Sequence, residues 1–394
     1  PAKTKHNEVA PCQHELAPVF DTCNVAVDRN QLTMEMMKKV AKKHGYVCLL
    51  HEKPFEGING SGKHDNWSLC TDTGINLLDP GKTPGDNIKF LVFLAAVVNA
   101  VDEYADLMRF SVASAGNDHR LGANEAPPAI ISIFLGDELK SVVDAIENDE
   151  FFGKVEKVKM EMGAAVIPHF TRDNTDRNRT SPFAFTGNKF EFRSLGSSAS
   201  VAEPNIVLNT AVAEILKRFA DRLESVEGDK SEAIHELIKE TFKKHSRVIF
   251  NGNGYSDEWI EEATKRGLYN YKSTPDVLPA FLADKNRKLF NDHGVYSDGE
   301  LESRYEIKVE TYCKTLHIEA RTLVDMLIHD VLPSISKYTD SIADSIIKRR
   351  QVSDIPTEAD ELRMRKLVVG YETLSKLCDK LKEEIKVADA TADL

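Results

Sequence analysis

Residues 181–193 read Ser-Pro-Phe-Ala-Phe-Thr-Gly-Asn-Lys-Phe-Glu-Phe-Arg and predict a β-hairpin. Two aromatic-rich runs flank a Thr-Gly-Asn turn, a pattern typical of two antiparallel strands. Two phenylalanines alternate along the second run with Glu191 and Arg193. Because side chains on a strand point to opposite faces in turn, the rings share one face and the charges share the other. The predicted strands are Ser181–Phe185 and Lys189–Phe192.

Helical periodicity dominates the sequence on both sides of this hairpin. Up to residue 225 helices are mixed with short strand-like runs, which predicts an α+β part over residues 1–225, an antiparallel sheet with helices. Residues 226–394 are predicted to be helical. Further predicted strands are Tyr46–Leu50 and Trp67–Thr71. The predicted helices are Asp28–Gly45, Asp86–Arg109, Pro128–Asn148, Asn205–Ser225, Ser231–Lys244, Arg304–Leu332, Pro333–Arg350 and Thr357–Val387.

The last predicted helix carries apolar residues at alternating spacings of four and three, which is a heptad seam. Such a seam packs either inside a helical bundle of the same chain or against another chain in a coiled coil. The seam consists of Leu367, Tyr371, Leu374, Cys378, Leu381 and Ile385.

The composition excludes several classes of function. Among 394 residues, 51 are Lys or Arg and 63 are Asp or Glu, so the formal net charge is −12. Nucleic acids and anionic membranes attract basic surfaces, and neither is expected as the main partner. The most apolar stretch, Phe90–Val98, is too short to span a membrane. The six cysteines are scattered, which favours free thiols in a reducing cytoplasm or an organelle stroma.

Two glutamates, Glu8 and Glu15, lie in the motif Asn-Glu-Val-Ala-Pro-Cys-Gln-His-Glu. With a kink at Pro11, both carboxylates can face one cavity. Paired carboxylates are good ligands for Mg²⁺ or Mn²⁺. The alternative is that both side chains are exposed and bind nothing.

A glycine-rich motif follows at residues 56–64, Glu-Gly-Ile-Asn-Gly-Ser-Gly-Lys-His. Its three glycines allow the backbone to approach a ligand closely and to present N–H groups to an anion. The pattern differs from that of a Walker loop. His64 at its end is either a ligand or a structural histidine.

Two further motifs combine basic and acidic residues. In residues 119–128, Arg120 and Glu125 flank a glycine turn, which is either a functional loop or a capped loop with a surface ion pair. Residues 177–193 bring several arginines and a lysine to one predicted hairpin, where they bind phosphate or carboxylate or form surface salt bridges. Together the four motifs supply cation ligands, phosphate-binding cations and glycine-rich backbone, which phosphoryl transfer requires.

In this order the motifs resemble those of glutamine synthetases, and of the long-subunit type III form in particular. The resemblance covers residues 1 to about 223, and the helical remainder resembles the C-terminal extension of that type. The matching stretches are 7–15, 59–64, 120–127, 177–179 and 191–193.

The resemblance implies a role for each motif residue. The implied ligands of two metal ions are Glu8 and Glu15 for one and His64 and Glu191 for the other. The implied substrate-binding residues are Asn59, Gly60, Arg120 and Arg193. The implied catalytic residues are Arg179, Arg193 and the flap residue Glu125, which takes a proton from ammonium. The implied ATP contacts are Phe20, Ser68, Arg179 and Lys189. Lys189 and Ala184 stand where the family usually has arginine.

The resemblance also implies a function and an assembly. The reaction is ATP-dependent ligation of ammonia to L-glutamate through γ-glutamyl phosphate, with ATP as co-substrate and two Mg²⁺ or Mn²⁺ ions. The assembly is a homo-oligomer of stacked rings, a dodecamer. The alternatives are a sister ligase that joins glutamate to another amine and a non-catalytic scaffold. Because further metal carboxylates and a β-grasp domain precede the first motif in the family, we expect this chain to be an incomplete fragment without activity of its own.

Overall fold

The computed structural model describes residues 2–122, 124–149 and 180–391. The chain divides into two compact units, Pro1–Tyr305 and Glu306–Leu394. The predicted boundary between residues 225 and 226 separates a catalytic domain from a helical extension, as the family resemblance implies. The two compact units do not test this boundary, which stays a prediction.

A two-stranded hairpin and a four-stranded sheet contain the strands of the first unit. The hairpin pairs β1 with β2 in antiparallel register, with His6 opposite Glu15. The sheet has the order β3-β6-β5-β4. The strands are β1 Ala2–Asn7, β2 His14–Pro18, β3 Gly62–Trp67, β4 Ile133–Phe134, β5 Phe183–Phe185 and β6 Phe190–Gly196.

The predicted hairpin at residues 181–193 is confirmed, because β5 and β6 pair antiparallel across the Thr-Gly-Asn turn. The α+β class is confirmed as well. One pair departs from the antiparallel sheet, since β4 runs parallel to β5. Parallel neighbours need a crossover of about a dozen residues or more, and the chain between β4 and β5 is much longer than that.

The predicted aromatic face of the hairpin forms part of the core. The rings of Phe183 and Phe190 stack with centroids 4.6 Å apart, and Phe185 contacts Phe190 edge-on at 5.2 Å. From the facing helix, Phe90 lies 5.9 Å from Phe185. All of these rings are buried. Alternation along the strand therefore puts the apolar side chains of β6 into the core, as the sequence predicts.

Helices cover the sheet, and beyond β6 the regular secondary structure of the described residues is helical. The buried helix α2 packs against α6 and α7. The α-helices in the described part of the first unit are α1 Cys23–Lys43, α2 Ile88–Glu103, α3 Ala105–Ser111, α4 Ala115–Arg120, α5 Asp137–Glu147, α6 Ala202–Glu224, α7 Ser231–His245, α8 Asp257–Lys265, α9 Thr274–Val277 and α10 Asp284–Asp292. Helix α11, Asp298–Met326, begins in the first unit and continues into the second.

Several predicted segments differ in the structure. Tyr46–Leu50 is irregular rather than a strand, and Val47 is 82% exposed. The strand predicted at 67–71 lies earlier, at β3. The helix predicted at 86–109 is interrupted at Tyr104. Residues 128–136 precede helix α5 instead of belonging to it, because they include β4, which pairs with β5.

The second unit consists of helices. One π-helical turn, Leu327–Val331, separates α11 from α12, Leu332–Val352, and α13 spans Glu358–Ala390. Helices α12 and α13 pack against each other, and Cys378 of the predicted seam is buried. This packing favours the intrachain bundle over the intermolecular coiled coil. Among the residues that the structure describes, no helix has both the length and the apolar character needed to cross a membrane.

We expect Phe190→Ala to lower the free energy of unfolding by about 3–5 kcal/mol, because it removes a fully buried ring that contacts both Phe183 and Phe185. The matched control is Phe20→Ala, which removes the same ring at a position that is 83% exposed. The control should change stability by no more than about 0.5 kcal/mol. Urea denaturation measures both, and equal shifts would contradict this account of the core.

Candidate functional site

The β1–β2 hairpin brings three potential metal ligands together. His6 Nε2 lies 3.1 Å from a carboxylate oxygen of Glu8 and 3.1 Å from one of Glu15. The ligand atoms of all three residues lie within 4.8 Å of one another. The turn between the strands is closed by a hydrogen bond from the Glu8 N–H to the Gln13 carbonyl, 3.0 Å. The predicted convergence of Glu8 and Glu15 on one place is therefore what the hairpin produces.

The two carboxyl groups shift each other's pKa values in opposite directions. Their mutual hydrogen bond is the main cause that lowers the pKa of Glu8 and raises that of Glu15, and desolvation also raises the latter. Two carboxyl groups held this close cannot both ionise at low cost without a nearby positive charge. Oxygen ligands in such a pair fit a hard divalent cation.

The second predicted ligand pair comes from neighbouring strands. Asn66 of β3 pairs with Glu191 of β6, and this register brings His64 Nδ1 to 3.0 Å from Glu191 Oε1. Glu191 is buried, whereas His64 is partly exposed. After the carboxyl–carboxyl hydrogen bond, the charge of His64 is a further cause that lowers the pKa values of Glu8 and Glu15. His64 therefore lies near enough to Glu8 and Glu15 for their charges to interact.

The glycine-rich loop packs tightly against Arg120. A Cβ atom on Gly62 would lie 2.0 Å from Arg120 Nη2, and one on Gly60 would lie 2.5 Å from the Glu52 carbonyl oxygen. The Gly60 carbonyl accepts a hydrogen bond from Gln13 Nε2, 3.2 Å, which ties this loop to the β1–β2 hairpin. Glycine is thus required here by close packing. Asn59, the predicted contact for the substrate amino group, is partly buried in the same loop.

Arg120 is buried and directs its guanidinium at protein groups. It donates to Asn117 Oδ1 at 3.2 Å and to the carbonyls of Leu195 and Arg193 at 3.3 and 3.2 Å. Burial is the main cause that lowers the pKa of Arg120 to about 10. These contacts attach α4 to β6. The predicted contact of Arg120 with a substrate carboxylate stays a prediction.

The loop with the predicted flap glutamate has an unusual backbone. Asn124 and Glu125 both have left-handed φ angles, +53° and +69°. The loop is closed by a hydrogen bond from the Gly122 N–H to the Pro127 carbonyl, 3.0 Å. Arg193, the other residue predicted to act on substrate, is buried on β6.

The predicted nucleotide contacts are only partly brought together. Ser68 Oγ donates to the Asn188 carbonyl at 3.0 Å, which places it beside the turn that carries Lys189. Phe20 lies just before α1 and is largely exposed. Arg179, like the rest of residues 150–179, lies outside the described residues.

Glu52 is a buried charge that the sequence did not single out. Its carboxylate accepts from the Ser198 N–H at 2.9 Å and lies against Gly116 and Gly196, where added Cβ atoms would be 2.3 and 2.5 Å from its oxygens. Its charge acts on Arg120 and on Lys63, whose pKa burial lowers to about 8. The contacts of Glu52 are distant in sequence and give no local signal. His6 was also missed, although it lies on β1 only two residues before Glu8.

Two protein-family models match the chain. The glutamine synthetase catalytic domain matches residues 1–132, and the glutamine synthetase C-terminal domain matches residues 233–350.

Three relatives that cover 88–100% of this chain are named as glutamine synthetases. A glutamine synthetase of Butyrivibrio fibrisolvens is 54% identical over 100% of this chain and 56% of its own length. A type-3 glutamine synthetase of Dictyostelium discoideum is 52% identical over 88% of this chain and 47% of its own. A glutamine synthetase of Bacteroides fragilis is 46% identical over 89% and 49%. The chain thus spans about half the length of these relatives.

We expect Glu52→Gln to lower the free energy of unfolding by about 1.5–3 kcal/mol, because it weakens hydrogen bonds to a buried charged group and removes the charge that faces Arg120 and Lys63. Glu56→Gln, an exposed glutamate in the same loop, is the matched control and should have little effect. Chemical denaturation compares the two. If the variants are equally stable, Glu52 does not hold this region together.

Proposed function

Because the chain belongs to the glutamine synthetase family, we propose that the whole protein catalyses the ATP-dependent ligation of ammonia to L-glutamate. The observation that carries the proposal is the formation of two candidate ligand pairs, Glu8 with Glu15 and His64 with Glu191, in segments that the hydrogen bond from Gln13 Nε2 to the Gly60 carbonyl connects. A cluster of carboxylates and imidazole next to buried arginines suits a reaction between anionic substrates.

We assign the two pairs to two divalent cations. Glu8 and Glu15 would hold one Mg²⁺ or Mn²⁺, and His64 and Glu191 would hold the other. The closeness of the Glu8 and Glu15 carboxyl groups supports this assignment, because a bound cation would offset the repulsion between them. When bound, such cations neutralise charge on the phosphates of ATP and align them for transfer.

The chain's own side chains bind and orient the substrates around these cations. Lys189 and Ser68 would contact the nucleotide, together with Arg179. Arg193 would hold the glutamate carboxylate that reacts. The guanidinium fork suits this contact, because it donates two parallel hydrogen bonds.

The reaction then proceeds in two steps. An oxygen of the glutamate side chain attacks the γ-phosphorus of ATP, ADP leaves, and γ-glutamyl phosphate forms. Glu125 takes a proton from ammonium, the resulting ammonia attacks the acyl carbon, and phosphate leaves. Phosphorylation is needed because a free carboxylate is a poor acyl donor, and Glu125 is needed because ammonium has no free electron pair.

We also propose a homo-oligomer, in line with the ring assemblies that the resemblance implies, and a cytoplasmic or stromal location. The support for an assembly is the exposed apolar surface of α1. Leu32, Met36 and Val40 of this helix are 62%, 47% and 48% exposed. Large exposed apolar patches mark interaction surfaces.

The experiment that tests the function is hydroxylamine trapping on the full-length protein with glutamate, ATP and Mg²⁺ or Mn²⁺. We expect γ-glutamyl hydroxamate to form. EDTA should abolish its formation, because it removes the divalent cations that the Glu8–Glu15 and His64–Glu191 pairs would hold. Comparing ammonia with small alkylamines separates glutamine synthesis from a sister ligase. Absence of hydroxamate with either metal would reject the proposal and favour a non-catalytic scaffold.

For Glu125 we expect Glu125→Ala to reduce amide formation by a factor of ~10²–10⁴, the contribution typical of a general base. Mn²⁺ affinity should be unchanged, because Glu125 belongs to neither of the two candidate ligand pairs, Glu8–Glu15 and His64–Glu191. The matched control is Glu138→Ala, an exposed glutamate at the first turn of α5. Steady-state kinetics with saturating ammonium gives the answer, and wild-type turnover in Glu125→Ala would exclude Glu125 as the base.

A further inference from the structure

Strand β3 is paired irregularly at the candidate metal ligand His64. Lys63 pairs with Leu195 of β6 but Asp65 pairs with Phe192, so two residues of β6 stand opposite His64 alone. This arrangement is a β-bulge, which disrupts the ladder of backbone hydrogen bonds and changes the direction of nearby side chains. The backbone pairing therefore does not by itself fix the direction of the His64 side chain.

The two neighbours of His64 are held on the opposite face of β3. Because side chains alternate along a strand, Lys63 and Asp65 point away from the face that carries His64. The Lys63 ammonium group donates to the Ala199 carbonyl, just beyond β6. Asp65 Oδ2 accepts a hydrogen bond from Asn205 Nδ2 of α6 at 2.9 Å. The segment that follows β6 thus holds β3 on both sides of the bulge.

Asn205 is well placed to hold a strand. It is buried in the first turn of α6, and this helix packs against the buried helix α2. Besides its bond to Asp65, Asn205 Nδ2 donates to the Val201 carbonyl at 2.8 Å, so both hydrogens of the amide are used. The bond to Val201 fixes the amide on the helix and directs its other hydrogen at Asp65.

A second contact one turn further along α6 sets the register of this helix on β3. Asn209 Oδ1 accepts a hydrogen bond from the buried Trp67 Nε1 at 2.8 Å. Asn205 and Asn209 are four residues apart on a helix, and Asp65 and Trp67 are two residues apart on a strand. Both spacings amount to about 6–7 Å, so each pair shares one face and the two faces match.

We propose that Asp65 is a positioning residue for His64. Through its hydrogen bond with Asn205 it holds β3 at the bulge, and it thereby keeps His64 Nδ1 at 3.0 Å from Glu191 Oε1. Asp65 acts from the opposite face of the strand and is not itself a ligand. This inference rests on the proposed function, in which His64 and Glu191 hold one of two divalent cations.

The test uses variants of the two hydrogen-bond partners in the full-length protein. Asn205→Ala removes the donor at a helical position, where alanine is the most favourable residue. Asp65→Ala removes the acceptor, whereas Asp65→Asn keeps an acceptor oxygen and removes the charge. The matched control is Thr210→Val in the same helix, because the Thr210 hydroxyl donates within α6, to the Ile206 carbonyl at 2.7 Å.

Hydrogen–deuterium exchange of the metal-free protein measures the contact. In a peptide covering residues 61–69 we expect faster exchange for Asn205→Ala and Asp65→Ala, and wild-type exchange for Asp65→Asn and Thr210→Val. The double alanine variant should exchange no faster than either single variant, because both single changes remove the same hydrogen bond.

Titration with Mn²⁺, followed by electron paramagnetic resonance, measures the consequence for His64. We expect Asn205→Ala and Asp65→Ala to weaken the binding of one Mn²⁺ ion about two- to tenfold, as for the loss of one hydrogen bond. The other ion should keep its affinity, because Glu8 and Glu15 belong to a different hairpin. His64→Ala identifies the ion concerned, and Asp65→Asn should bind both ions as the wild type does.

Each result decides the matter. Wild-type exchange in both alanine variants overturns the contact. Faster exchange with unchanged Mn²⁺ affinity overturns the positioning role, and so does equal weakening of both ions, which indicates a general loss of structure. If Asp65→Asn weakens Mn²⁺ binding as much as Asp65→Ala does, the charge of Asp65 acts instead of its hydrogen bond, and the positioning role is again overturned.

Failure of the proposed function gives a different result. If the wild-type protein binds Mn²⁺ at His64 but forms no hydroxamate, the proposed ligase activity fails while the positioning role stands. If the wild-type protein binds no Mn²⁺ at His64, the cation assignment and the positioning role fail together, and the exchange result still decides the contact.

Discussion

The candidate site depends on the antiparallel pairing of β3 with β6. This pairing places His64 beside Glu191, and it includes a register shift between Lys63 and Asp65. A slip of one residue would turn every side chain of a strand to the opposite face, so the ligand pair and the apolar core would be lost together. One interaction thus determines both the stability of the sheet and the chemistry of the site.

The other parts of the site are attached to β6 as well. Arg120 at the end of α4 donates to two carbonyls of this strand, which positions the loop of Glu125 that follows α4. Glu52 fits against Gly196 at the end of the strand and supplies negative charge near Arg120. A buried guanidinium is stable only with such hydrogen bonds and opposite charge. Gly196 leaves room for the Glu52 carboxylate, and the negative charge of Glu52 in turn stabilises the buried Arg120 guanidinium.

Much of the fold could be predicted from the sequence where the signal is local. The hairpin at residues 181–193 could be predicted, because a turn sequence and the strict alternation of apolar and charged residues specify it. The convergence of Glu8 and Glu15 could also be predicted, because both residues lie on one short hairpin. Tyr46–Leu50 was wrongly predicted as a strand, since an apolar run gives no information on whether a pairing partner exists. Arg120 shows a related limit, because the spacing of a motif does not say which groups a guanidinium contacts.

The position of Glu52 could not be predicted, because its contacts join residues far apart in the chain. The most direct test of the central claim, that β3 and β6 build one half of a two-cation site, is anomalous diffraction from crystals of the full-length protein grown with Mn²⁺ and an ATP analogue. The account predicts anomalous peaks next to Glu8 and Glu15 and next to His64 and Glu191. Anomalous peaks only at other positions, or no peaks in crystals grown with a saturating concentration of Mn²⁺, would contradict it.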